Sequence, residues 1–249
     1  LQIQADIVGN YAELFGEKSV NGRTVNVEEL IENLVRQFST DFREVLDQRH
    51  QFLQQQGDAQ ERYAFLPVDQ QVTDGDGNKL TVAEIRQGML DNFFGNPSSN
   101  SWKLNAGVPI SEEIMRPGLQ GTGPFDDLGM AMSALNARTA SWMPDWEDAG
   151  NDYGDKLYSA WKNLKELLAG EWGDKIFHHP MKNKDYQIKN PQENWPTLFI
   201  RVPGLHLTSR QMTLDGKSIP STIPAMVLHA LNNFDSQIRR QSGVYYYIP

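Results

Sequence analysis

Three carboxylates fall within four residues in the stretch Trp142-Met143-Pro144-Asp145-Trp146-Glu147-Asp148, where a short apolar run ends. Acidic side chains favour the positive end of a following helix, whose first amides are unpaired, and that accounts for one of the three. Three together repel one another. A nearby cation or arginine relieves that repulsion, which gives Asp145, Glu147 and Asp148 a second reading, as acids beside Mg2+ or a guanidinium. Arg201 is the candidate guanidinium: it closes the strand-like run Thr197-Leu198-Phe199-Ile200-Arg201 and precedes the turn Val202-Pro203-Gly204-Leu205-His206. A fixed guanidinium at a strand end stabilises a developing oxyanion, or it pairs with a carboxylate for structure alone. The pattern leaves both readings open. In α/β barrels the working residues stand at the C-terminal ends of parallel strands, the position expected for both groups.

Other chemistries fall away. The chain has no cysteine, so disulfides and thiolate catalysis are excluded. His178 and His179 are adjacent, which in an extended segment aims them apart, and no third ligand has metal-site spacing. His206 and His229 are isolated. The run Asp74-Gly-Asp76-Gly-Asn78 invites a calcium loop, but Lys79 stands where the sharp turn needs glycine and Ile85 where a bidentate glutamate is required. A polar turn before a helix capped by Thr81 and Glu84 is the better reading. Phosphate-loop, dinucleotide and nucleophile-elbow motifs are missing. A net charge of −9 with no basic stripe argues against nucleic acid. No apolar run approaches the ~18 residues of a membrane span, so a soluble, cytoplasmic chain is expected.

The elements that must position these groups follow from periodicity. Apolar residues from Leu30 to Leu53 recur at three- and four-residue spacing, predicting one long helix over 26–56 with Asn26 and Glu29 as its capping pair. Residues 1–23 read as a weakly patterned arm, with a short helix around Tyr11 to Phe15 and a turn at Asn21-Gly22. A helix from Thr81 to about Phe94 is followed by a linker at Gly95-Asn-Pro-Ser-Ser-Asn. Beyond residue 101 the units alternate: helix over 125–137, strand over 139–143, helix over 155–169, strand over 197–202, a helix within 220–238 and strand over 244–248. The division expected is a helical N-terminal region over 1–100 and an α/β part over 101–249. The expected fold class is α/β, the start of a (β/α)8 TIM barrel with about three strands, incomplete here because a whole barrel takes ~250 residues by itself.

Several of these segments resemble the malate synthase family. Trp142-Met-Pro-Asp145-Trp-Glu147-Asp148-Ala is similar to its Met-Ala-Asp-Phe-Glu-Asp-Ser stretch, and Leu198-Phe-Ile-Arg201-Val-Pro-Gly204-Leu-His206-Leu to its Leu-Val-Arg-Pro-Arg-Gly-Trp-His-Leu. Gly121-Thr-Gly-Pro124, Ala134-Leu-Asn136 and Ser242-Gly-Val-Tyr-Tyr-Tyr-Ile-Pro249 match further family segments in the same order. The resemblance is good over 102–249 and absent over the first twenty or so residues. It implies an acyltransferase of the glyoxylate cycle, performing a Mg2+-dependent Claisen condensation of acetyl-CoA with glyoxylate to give malate and CoA. Arg201 would stabilise the enolate oxygen, and Asp145, Glu147 and Asp148 would line the pocket near the ion's water shell. No direct metal ligand is expected in this segment, because the family's general base and its ligands come later. The remainder of the barrel would then be needed for activity. Pro144, Trp146 and Pro203 depart from the family's Ala, Phe and Arg, so the acceptor acid stays open. Two other readings stand beside this one: a non-catalytic, barrel-derived binding or assembly module, and a lyase or aldolase acting on another CoA ester.

Overall fold

The structure is a computed structural model that describes residues 1–56, 65–74, 77–97, 101–102, 111–148 and 155–249. Helix α1 spans Val27–Gln56 and α2 spans Val82–Phe93. Helices α3 (Leu128–Asn136), α4 (Lys156–Leu168) and α5 (Thr222–Arg239) alternate with strands β1 (Gln120–Gly123), β2 (Ser141–Pro144), β3 (Thr197–Arg201) and β4 (Tyr245–Tyr247). The chain divides into two units, residues 1–47 with 112–249 and residues 48–111. The first 47 residues therefore group with the α/β part.

In the larger unit β1, β2, β3 and β4 form a four-stranded sheet in sequential order, and every pairing in it is parallel. Parallel neighbours need crossovers, and α3, α4 and α5 occupy the three connections. The result is a mixed α/β unit with an open sheet; no closed barrel is present among the described residues. The sheet has one strand more than the three expected. β1 reads Gln-Gly-Thr-Gly, with almost no strand propensity. Packing explains it: Gly121 and Gly123 lie against the Trp142 indole, and Thr122 donates to the Met143 carbonyl at 3.2 Å.

β3 buries Leu198 and Ile200 on one face; on the other Thr197 is buried, and Phe199 and Arg201 are half-buried. Beside it runs an aromatic stack. Trp142 faces Phe125 at 5.2 Å, Phe125 faces Trp146 at 6.0 Å, and Trp146 lies flat on Trp161 of α4 at 4.2 Å. Trp161 in turn meets His229 of α5 at 6.1 Å. The stack fixes α4 and α5 beside the ends of the strands. Asn136 closes α3 by a different means: its Oδ1 accepts from the Lys189 and Asn190 amides and its Nδ2 donates to the Gln187 carbonyl.

The N-terminal residues are more ordered than an arm. Gln2–Ile3 pairs with the strand Thr208–Leu214, and Glu17–Val20 pairs with Arg23–Asn26 across the Asn21-Gly22 turn. Both turn residues have positive φ, 48° and 74°, as a two-residue hairpin requires. α1 begins where expected, with Asn26 Oδ1 accepting from the Glu29 amide at 3.0 Å. In the smaller unit, Thr81 and Glu84 form the full capping box of α2, and the strands Gln71–Thr73 and Lys79–Thr81 flank Asp74 and Asn78. Asp74 Oδ1 there accepts from the Asn78 amide at 2.8 Å, the task of a turn residue. The linker expectation at 98–100 lies outside the described residues.

Candidate active site

β2 and β3 end side by side. Their register continues one step past β2, so Asp145 bridges Arg201 in the parallel sense. Pro144 lacks an amide proton, yet the ladder around it holds: the Asp145 amide donates to Gly123 and the Trp146 amide to Arg201, both at 3.0 Å. Past that point the chain folds back on itself. Asp145 Oδ1 accepts from the amides of Glu147 at 2.9 Å and Asp148 at 3.0 Å, a local side-chain turn that brings the two later acids round to the strand end.

All three carboxylates converge on Arg201. Its Nη1 lies 3.0 Å from Asp145 Oδ2 and 2.5 Å from Asp148 Oδ2, and its Nη2 lies 2.6 Å from Glu147 Oε2. Side-chain exposure separates them: Arg201 is 16% exposed, Asp145 5%, Glu147 8% and Asp148 74%. The Asp148 hydrogen bond, followed by Asp145 and the field of Glu147, holds the guanidinium above its ordinary pKa, so it stays charged. On the β4 side the guanidinium carbon sits 5.7 Å from the Tyr247 ring centre, within cation–π range. Arg201 Nε is buried and has no acceptor among the described residues.

Arg201 and the three acids are therefore brought together as a guanidinium held by carboxylates at the C-terminal edge of a parallel sheet. Tyr247 and Gly204 join it without being foreseen. Tyr247 enters through the register of β3 with β4, where it is the partner of Arg201, and Gly204 donates its amide to Glu147 Oε1 at 3.3 Å. Only strand register could have disclosed the first. His206 folds back against Gly204. His178 and His179 lie on a hairpin strand, Phe177–His179. His178 Nδ1 there lies 2.7 Å from Asp185 Oδ1, while His179 is buried.

Direct metal ligation does not fit Asp145 or Glu147. Asp145 spends one oxygen on backbone amides and the other on Arg201, and Glu147 divides its oxygens between Gly204 and Arg201. Among the described residues no group of three or more His, Asp or Glu side chains has a metal-binding arrangement. None of the described helices is long and apolar enough to cross a membrane.

An arginine clasped by acids at the ends of adjacent parallel strands defines an α/β protein with an ion-pair cluster at one edge of its sheet, and comparison with known proteins narrows that class. Malate synthase A of Escherichia coli K12 is 31% identical over 181 residues, covering 69% of this chain and 32% of that protein. The glyoxysomal malate synthase of Candida tropicalis is 31% identical over 185 residues, 69% of this chain and 31% of that protein. A malate synthase of Myxococcus xanthus DK1622 is 28% identical over 142 residues, 57% of this chain and 25% of that protein. The chain is a relative of the malate synthases and spans about a third of the length of the curated relatives it matches. No family model matches it.

Proposed function

We propose that this chain supplies part of the active site of a malate synthase-type acyltransferase, which condenses acetyl-CoA with glyoxylate to give malate and CoA. The observation that carries the reading is Arg201: a charged guanidinium, fixed by carboxylates at a strand end, with its Nε–H unpaired among the described residues. Removing a proton from the acetyl group places negative charge on the thioester oxygen. A fixed cation near that oxygen lowers the cost of the step, and a rigid one does so without reorganising as the charge appears. Asp145 and Glu147 keep the fork in place while Asp148, at the solvent edge, flanks the approach.

The sequential parallel sheet is read here as the opening of a (β/α)8 barrel, whose other strands would complete the pocket and without which the segment would be inactive. A cytoplasmic location belongs to the same proposal. The reaction is taken to be Mg2+-dependent, with the ion's direct ligands supplied by residues other than Asp145, Glu147 and Asp148.

The test is release of free CoA from acetyl-CoA by the full-length polypeptide, followed with a thiol reagent. Release that requires glyoxylate and is abolished by chelation supports the proposal. Release independent of glyoxylate, or none, overturns it.

A further inference from the structure

A cavity of about 820 Å³ opens in the larger unit between α1 and the hairpin of Thr208–Leu214 with Lys217–Pro220. None of Asp145, Glu147, Asp148, Arg201 and Tyr247 lines it. Val35 of α1 and Leu214 and Ile219 of the hairpin contribute buried side chains to the lining. Phe38 and Phe42, one helical turn apart with their rings stacked at 5.0 Å, add aromatic surface, and Phe42 is 40% exposed. Apolar lining that is open to water is stabilised by taking in an apolar body.

The two sides of the cavity are tied at the hairpin tip. Arg36 Nη1 lies 2.8 Å from Asp215 Oδ2, and Asp215 and Gly216 have positive φ, 51° and 74°, as a tight two-residue turn requires. Arg36 Nη2 lies 2.8 Å from Glu32 Oε1, so this guanidinium is shared between two acids. The other cations of the lining are not neutralised. Arg43 donates its Nε to the Ser39 carbonyl, and no acid among the described residues pairs with its terminal nitrogens or with Lys217 Nζ. Asp215 is the only acid among the described lining residues, and Arg36 already offsets it. One lysine or arginine on an open surface is a solvated charge. Two beside the same apolar cavity, in a chain of net charge −9, make a local positive site for an anionic head.

We propose that this cavity binds a small amphipathic anion, with its apolar body against Val35, Phe42 and Ile219 and its carboxylate or phosphate head between Arg43 and Lys217. The volume lies within the roughly 300–1,000 Å³ of small-molecule sites. Both parts of the ligand are needed. A head alone exchanges water for exposed cations with little gain, and a body alone leaves those cations unmatched. The inference does not depend on the reaction proposed for the Arg201 cluster.

The experiment titrates the full-length polypeptide by calorimetry with octanoate, octyl phosphate, octan-1-ol and inorganic phosphate, while methyl NMR of Leu214 and Ile219 locates the binding. Octanoate or octyl phosphate should bind saturably and shift both methyl groups, and the tighter of the two identifies the head. Octan-1-ol and inorganic phosphate should each bind at least about tenfold more weakly than that probe. Arg43→Ala combined with Lys217→Ala changes exposed side chains, so the urea midpoint should hold while affinity for the better probe falls at least about tenfold. Lack of saturable binding, octan-1-ol binding as tightly as octanoate, wild-type affinity in the double variant, or unshifted Ile219 methyls would each overturn the proposal. Displacement of the probe by acetyl-CoA would also overturn it, by making the cavity part of the proposed substrate site.

Discussion

Arg201 and Asp145 meet twice, once as bridge partners in the backbone of adjacent parallel strands and again through their side chains, Nη1 to Oδ2 at 3.0 Å. The double contact links fold and chemistry. The sheet's register sets where the guanidinium stands, and the side-chain pair keeps charge in a place where burial would otherwise penalise it. Changing either residue should therefore disturb stability and activity together, in proportions that depend on which contact is lost.

Replacing Arg201 by alanine leaves Asp145 and Glu147 as buried carboxylates without their counter-charge. The expected cost is about 3 kcal/mol of folding stability, together with a loss of about 100-fold or more in CoA release. Arg201→Lys keeps the charge but not the planar fork, so stability should largely return while activity does not. Urea unfolding and the CoA assay on both variants test this; an Arg201→Lys protein with parental turnover would refute the oxyanion role.

The acids should differ from one another in the same measurement. Asp145→Ala removes a buried partner of Arg201 and the acceptor for two amides, at an expected cost of about 3 kcal/mol. Asp148→Ala touches a mostly exposed carboxylate and should cost less than about 1 kcal/mol. Equal shifts in the urea midpoint for the two variants would contradict the burial order.

His229 gives the protein an acid-sensitive point away from the site. It is fully buried, with Nδ1 2.8 Å from the Tyr246 hydroxyl and Nε2 3.3 Å from the Gln237 amide nitrogen. Tyr246 donates to the Met226 carbonyl, so Nδ1 carries the ring proton and Nε2 accepts from Gln237. Burial pushes the pKa down to about 3 from an ordinary 6.5. The unfolded chain then takes up a proton that the folded chain refuses. Stability is intact above pH 6.5 and falls as pH drops toward about 3, by up to about 1.4 kcal/mol per pH unit. His229→Gln should lose that slope, which urea unfolding at pH 7 and pH 5 would reveal as a gap about 2 kcal/mol smaller than in wild type.

How much of this was legible in advance depended on whether the signal was local. The long helix and its Asn26–Glu29 cap, the α2 capping box, and the strands carrying Asp145 and Arg201 were all readable from periodicity and spacing. β1 was not, because a Gly-rich strand has no propensity of its own and exists by lying against Trp142. The N-terminal strand Gln2–Ile3 was equally silent: its partner, Thr208–Leu214, lies two hundred residues away in sequence. The site divides the same way. Residue types marked Asp145, Glu147, Asp148 and Arg201 as candidates, but that all three acids share one guanidinium, and that Tyr247 backs it, are facts of register.

Trp146, where the resemblance leads one to expect phenylalanine, offers a last test. Its ring lies flat between Phe125 and Trp161, yet its Nε1 is buried with no acceptor among the described residues. Trp146→Phe gives up part of the stacked area, which costs stability, and removes an unsatisfied buried donor, which returns about 1–3 kcal/mol. The terms oppose, so the net change should stay below about 1 kcal/mol, far from the 3–5 kcal/mol expected of a tryptophan cut to alanine. Because phenylalanine keeps a ring in the stack with Phe125 and Trp161, CoA release should be retained. A Trp146→Phe variant destabilised as much as Trp146→Ala would mean that the indole nitrogen has a partner after all, and that the stack rests on more than ring-on-ring packing.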